Sequence, residues 1–565
     1  PSPAPSQAAP AQSAPSQPTA AAGQPASLLP PSLATDLGNA AAGDDLALDN
    51  ETEGNSADPY DLPPEARRDA RRVGVLSVDE GSLGEQAWGG TDGQFLARLM
   101  RSMHAPVASR WASILLRRAL LSRTAAPRGV DGADWTAERA WLLLRMGEAD
   151  PARMLVAGID VDRFNSRLFD IAMQTALATG DPAALCPLTQ PVATYSKLVS
   201  WDLARAMCSA MEADPGSASA VIDAVRRGGA ARGVDLLLAE KVVGAGANGR
   251  RAINIQWDGV NQLTAWRFGL ANATGVAIPG PLFDTVGPHV RAWQARSPMI
   301  DPAARLPFAS WAATLGVFSS AAYADLYGAV FDSGDTGTPL VATAETLRQA
   351  FTADGAAARV AAMRSLWDEP TDARERFARL ILTARAAAYI APDPALQGDA
   401  GRLIESMMTA GYDITAARWA EQANAEGGDA WALLAVGAPA RGAVTIDGSR
   451  ARTYADAQDD DHKARGQFLI AALAGLGRLS NGDIEALAAD YRVPVGRVDK
   501  WTQAIDAAAR ARQPGTVALL VAVGMQTREW KSVPPAYLYH MVRALRAVGR
   551  EPEARMIAAE AITRA

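Results

Sequence analysis

Two cysteines, four histidines and a few acid-rich turns hold most of the reactive chemistry in this 565-residue chain. Cys186 and Cys208 are separated by only twenty-two positions, and no other cysteine is present. A bridge between them would close a loop of about 23 residues, which a chain-entropy argument values at ~3 kcal/mol. One pair in a long chain suits an exported protein with a single structural disulfide. The alternative is two buried thiols in a cytosolic core. A metal site built on two cysteines with no histidine close in sequence is disfavoured.

The remaining candidates point away from catalysis. His104, His289, His462 and His540 each have a separate neighbourhood: a turn, a helix start, a charged loop and an amphipathic helix. No metal ligand set follows from them. "DDDH" (459–462) precedes the helical "KARGQFLIAALAGLG" and reads as a helix cap rather than a divalent-cation site. "DVDRFN" (160–165) lacks the glycine and distal glutamate of a calcium loop and also reads as a cap. "GAGANG" (244–249) has a dinucleotide-type glycine spacing, but "VDLLLAEKVV" before it reads as a helix and "RRAINIQW" after it does not. It is expected to be a surface loop, and no cofactor is expected. The chain has no P-loop, HExxH, GxSxG or CxxC pattern. "LIESMMTAGYD" (403–413) contains Glu405-Ser406, a pair similar to that of helical-superhelix lytic transglycosylases. Nothing downstream resembles the Gly-rich, Met-Gln segment of that family, so no catalytic residue is assigned.

The elements that would position these groups are helical. "GQFLARLMRSM" (93–103) and "VASRWASILLRRALLSR" (107–123) repeat apolar residues at i, i+3 and i+4. "WTAERAWLLLRMGEADPARMLVAG" (135–158), "FDIAMQTALATGDPAALC" (169–186) and "WDLARAMCSAMEADPGSASAVIDAVRR" (201–227) each read as helix, turn, helix. A glycine or small residue ends one helix, an acid caps the next, and proline takes an early helical position where its missing N–H costs nothing. The Asp-Pro pairs fall at 150/151, 181/182 and 214/215, a hairpin-repeat spacing. "YLYHMVRALRAVGREPEARMIAAEAITRA" (537–565) closes the chain with another such hairpin, turning at Gly549 to Pro552. The pattern resembles the tetratricopeptide-type α-solenoid class over 135–228 and the final hairpin. The resemblance implies stacked antiparallel hairpins and a protein-binding surface; the fuller Trp/Leu/Gly/Tyr consensus is absent. "AINIQWDGV" (252–260) and "RGAVTIDGSRARTY" (441–454) break the helical trend and read as short strands or ordered loops.

The expected fold is therefore all-α: an α-solenoid of stacked antiparallel hairpins behind a disordered N-terminal tail. Residues 1–31 contain nine prolines among Ala, Ser and Gln, and residues 32–66 are acidic and turn-rich. Neither stretch has the apolar surface to offset the entropy of ordering. We divide the chain into a linker (1–66), a junction (67–92), a solenoid (93–440) and a C-terminal helical lobe (441–565). Residues 1–66 carry nine acids and no base, leaving 55 bases against 53 acids in the rest. A near-neutral body creates no field for nucleic acid or an anionic membrane. No apolar run reaches the ~18–20 residues of a membrane span. No methionine precedes Met100, which a removed signal peptide, a cut membrane anchor or a shortened sequence would each fit, with export as the favoured expectation.

These features lead to an expected function: a non-enzymatic periplasmic scaffold or adaptor that binds a protein or extended polymer through its helical surface. The alternatives are a cell-wall hydrolase of lytic-transglycosylase type, or its accessory domain, and a cytosolic helical-repeat adaptor. Trp257 and Trp266, in "INIQWDGVNQLTAWRFGL" (253–270), are the candidates for a binding surface, with burial of both in the core as the favoured expectation.

Overall fold

A computed structural model describes Pro63 and residues 66–247, 253–333, 339–440, 442–459 and 462–565. The expected linker, up to residue 62, lies outside these, as do Asn248 and Gly249 of the glycine cluster, Ala252, Arg441 and two acids of "DDDH". Among the described residues the chain is all-α and no strand forms; one isolated parallel bridge joins Leu76 to Ser122.

Local chemistry starts the helices where the pattern places them. Ser109, Asp131, Asn165 and Asp214 each accept a backbone N–H one to three residues into the following helix. Each satisfies a donor that would otherwise be orphaned at a helix start. Hairpins result: Gly132–Arg145 with Ala149–Val156, Ser166–Ala178 with the 3-10 turn Pro182–Leu188, and Val199–Met211 with Pro215–Gly228. The last, Pro535–Ala547 with Glu551–Arg564, turns at Gly549, whose φ of 75° suits a residue without a Cβ.

Two expectations are corrected in detail. The helix expected to begin at Asp150-Pro151 begins at Ala149, with Glu148 in the capping position. The Glu148 side chain is buried and takes a 2.6 Å contact from Arg117 instead. Part of the stretch read as strand or loop at 441–454 is the helix Gly448–Asp456. Asp447 caps it by accepting from the Arg450 amide. The other stretch, 253–260, is an ordered loop with a turn at Asp258-Gly259.

Successive helices stack side by side, and the stack closes on itself. Helix Arg110–Leu121 packs against Gly132–Arg145 near it in sequence, and against Pro514–Gly524 and Glu551–Arg564 from the far end of the chain. Helices Ala400–Thr409 and Gly428–Gly437 also touch Glu551–Arg564. The Gly515 amide donates to the Ala87 carbonyl at 2.7 Å, so the segment before the first long helix seals the same seam. One continuous apolar core runs from Val73 to Ala565.

Helix Arg110–Leu121 lies inside this closure and is charged at both ends. At its N-terminus Arg110, 3% exposed, points its guanidinium at the carbonyls of Ala313, Phe318 and Thr409. Burial lowers its pKa to about 10, with Glu560 opposing the shift. At its C-terminus the fully buried Arg139 donates to the carbonyls of Leu120 (2.7 Å), Ser122 (2.9 Å) and Val73 (2.9 Å). A cation there meets the negative end of the helix dipole. Desolvation alone lowers the Arg139 pKa, to about 9.

Candidate functional site

Cys186 and Cys208 form a disulfide with Cα atoms 5.4 Å apart. Cys186 sits in the 3-10 turn Pro182–Leu188 and Cys208 in helix Val199–Met211, elements that pack directly together. The bridge pins the connecting stretch, where Tyr195 lies 5.3 Å from Phe169 across their rings.

The two tryptophans chosen from sequence separate. Trp266 is not on a surface: it is fully buried in helix Ala265–Ala273 and donates its indole N–H to the Asp235 carbonyl at 3.1 Å. Trp257 remains half-buried in the loop, donating to the Ala277 carbonyl at 3.1 Å.

Glu405 and Ser406 also separate. Ser406 is fully buried, donates to the Leu380 carbonyl at 2.8 Å and shares a 3.0 Å hydrogen bond with Thr383. Glu405, one position on around helix Ala400–Thr409, faces another neighbourhood and is partly buried. Desolvation pushes its carboxyl up to about 7, and the nearby Asp429 charge adds to the shift. Asp429 accepts from the Tyr454 hydroxyl at 2.7 Å and from Arg465 at 3.1 Å. It lines a cleft of about 450 Å³ with Trp431, Arg450 and Tyr454. Arg450 is already bound to Asn424, and the Trp431 indole to the Thr445 carbonyl, so much of this polar lining serves the fold.

The histidines stay apart. His462 stands at the start of helix Lys463–Leu476 with its ring nitrogen 2.7 Å from Asp459. His540 lies 3.2 Å from Asp506. His289 packs edge-on to Trp293 with both ring nitrogens buried and unpartnered, and desolvation lowers its pKa to about 4. The amide of His104 is held by Gln526. Among the described residues no group of three His, Cys, Asp or Glu side chains is placed to hold a metal ion. The stretch expected as a helix before the glycine cluster lies in Gly233–Gly246, where a dinucleotide site would need a strand.

A cleft of about 790 Å³ was not singled out from the sequence. It opens between helices Ser320–Asp332 and Pro339–Thr352 and is closed at one end by Arg385 and Tyr389. Much of its lining on Ser320–Asp332 is small, with Ala321, Ala324 and Gly328, and nothing lies within 4 Å of where a Gly328 Cβ would be. Phe351 and Tyr389 meet with ring centroids 6.4 Å apart, and Tyr389 is 60% exposed. Arg348 lies 5.2 Å above the Phe331 ring and Arg385 6.0 Å from the Tyr389 ring. Asp325 and Asp332 stand on the opposite wall. Among the described residues none of these four charged groups forms an ion pair. On neighbouring helices Arg364, Arg374, Arg379 and Arg402 are all paired with acids. The sequence does carry a signal: neither Asp325 nor Asp332 has a base three or four residues away on its helix.

The fold defines the chain as an all-helical stacked-hairpin protein. Compared with known proteins, it matches no family model, no curated protein and no solved structure. No helix among the described residues is long and apolar enough to cross a membrane.

Proposed function

We propose that the chain is a non-enzymatic scaffold or adaptor of the cell envelope, of tetratricopeptide-like type, that binds other proteins through its helical surface. The cleft at Tyr389 carries this reading. It combines an exposed tyrosine, small side chains along one helix and four charges that form no ion pair among the described residues, which are marks of a surface shaped for a partner. The Cys186–Cys208 bridge supports an oxidising compartment, such as the periplasm, and weighs against the cytosolic adaptor.

One observation favours the hydrolase as a second reading. A carboxyl raised to about 7 is what a general acid needs at neutral pH, and Glu405 has one. Its separation from Ser406 and its distinct placement from the Tyr389 cleft favour the adaptor.

The test is made in the native cells. Thiols are trapped at lysis by alkylation with and without prior reduction, and partners are fixed by a crosslinker added before fractionation. The adaptor reading expects oxidised cysteines in the periplasmic fraction and discrete protein crosslinks. Free thiols in the cytosolic fraction overturn the location, and peptidoglycan cleavage by the purified chain that is lost in Glu405→Gln overturns the non-enzymatic role.

A further inference from the structure

We propose that the cleft between Ser320–Asp332 and Pro339–Thr352 is a docking groove for one amphipathic helix of a partner protein, with bases on one flank and acids on the other. This rests on the adaptor reading and names the kind of partner it requires.

The groove has the length for a helix. Its lining on Ser320–Asp332 runs from Ala321 to Asp332, about 16 Å or three helical turns. The small residues Ala321, Ala324 and Gly328 let another backbone approach closely, and Phe351 and Tyr389 offer apolar surface to anchor side chains at helical spacing. Both long walls are helices whose backbone hydrogen bonds are internal. They offer no sheet edge, so an extended peptide would gain no backbone hydrogen bonds from the groove. A helix satisfies its own.

The charges choose the flanks. Asp325 and Asp332 stand on one wall, and Arg348 and Arg385 on the other side. An occupant with basic residues facing the first and acidic residues facing the second complements all four, with Arg385 exchanging its 3.4 Å contact to the Tyr389 hydroxyl for a carboxylate, and the reverse placement sets like charges together. The chain's own N-terminal stretch does not meet this requirement, because residues 1–66 contain nine acids and no base.

The experiment places p-benzoylphenylalanine at Tyr389 in the full chain, in its native cells. Control probes at the exposed positions Phe95 and Ile414 are run in parallel. After irradiation the crosslinked peptides are sequenced. The expected product is a peptide with apolar residues at helical spacing, bases on one flank and acids on the other. Its yield should fall at least tenfold in D325K/D332K and in R348E/R385E, while the purified variants keep the parent's helical circular dichroism and cooperative thermal unfolding, which shows that they are folded. A crosslink to a glycan, to residues 1–62 or to a uniformly acidic segment overturns the proposal, as does a yield indifferent to both charge reversals. Crosslinks at 95 or 414 with none at 389 overturn the groove and leave the adaptor reading standing. No protein crosslink at any position overturns both.

Discussion

Glu560 caps Arg110 from 450 positions along the chain. Its carboxylate accepts the Arg110 amide at 2.8 Å, the Trp111 amide at 3.0 Å and the Ser109 hydroxyl at 2.6 Å. Arg564 holds the same carboxylate at 2.8 Å and the Ala108 carbonyl at 2.6 Å. An acid from the last helix thus neutralises the positive end of an early one, while Arg139 serves the other end. This is one of the contacts that close the stack on itself.

Glu560→Ala should therefore cost more than a surface ion pair. It leaves the Arg110 and Trp111 amides and a buried hydroxyl without their acceptor and removes the charge that most favours the Arg110 cation. Breaking a buried pair of this kind costs about 3–5 kcal/mol. Glu560→Gln keeps one acceptor and should cost less. Denaturant unfolding followed by tryptophan fluorescence measures both; a loss under ~1 kcal/mol for the alanine variant would mean that the seam does not bear on stability.

The disulfide makes a separate contribution. Replacing both Cys186 and Cys208 by alanine should lower unfolding free energy by about 3 kcal/mol. Limited proteolysis should then cut between Thr189 and Leu198, where the bridge no longer holds the turn to helix Val199–Met211. If the oxidised protein and the double variant unfold at the same denaturant concentration, the bridge is an ornament of the compartment and not a brace.

Much of the fold is legible in the sequence because its signals are local. Asp214-Pro215 and Gly549 mark turns by backbone chemistry that needs no partner. What stays hidden is long-range. Nothing near Glu560 in sequence says that Ser109 will need it, and Glu148 looks like a cap until Arg117 claims it. The Tyr389 cleft is hidden for the same reason. Its walls come from separate helices, each of which alone reads as an ordinary amphipathic element.

Trp257 and Trp266 test the division between surface and core. Trp266→Ala empties a fully buried site and should cost about 3–5 kcal/mol. Trp257→Ala removes a half-buried ring and one hydrogen bond to a carbonyl, worth about 1 kcal/mol. Thermal unfolding of the two variants side by side should separate them clearly, and equal losses would contradict the burial of Trp266.

His289 should contribute a loss of stability toward acid pH. Its folded pKa is about 4, depressed by burial and by the Arg145 charge, while an unfolded histidine titrates near 6.5. Below that value the unfolded chain takes up a proton that the folded chain refuses. The stability is present in full above pH ~6.5 and is lost as pH falls toward 4, by no more than about 3 kcal/mol. His289→Gln should flatten this limb. An unchanged slope between pH 6.5 and 4 would show that the ring is already solvated.

Glu405 acts in the opposite direction. Its folded pKa is about 7 against 4.5 for an ordinary glutamate, so the folded chain holds a proton that the unfolded chain releases across this window. Stability should fall as pH rises from about 4.5 through 7, by up to about 3 kcal/mol, and should level off above. Glu405→Gln mimics the protonated form and should remove the part of the decline between about pH 6 and 7, the part below pH 6 being shared with Asp170, whose burial raises its carboxyl to about 6; the variant should be more stable than the parent at pH 8. Chemical denaturation from pH 4 to 8 reads this directly, with His289→Gln as the background so that the two titrations do not overlap. If Glu405→Gln is less stable than the parent at pH 8, the carboxylate is ionised and held by Arg402 or Arg465. The raised carboxyl, and with it the one observation favouring a hydrolase, would then fall.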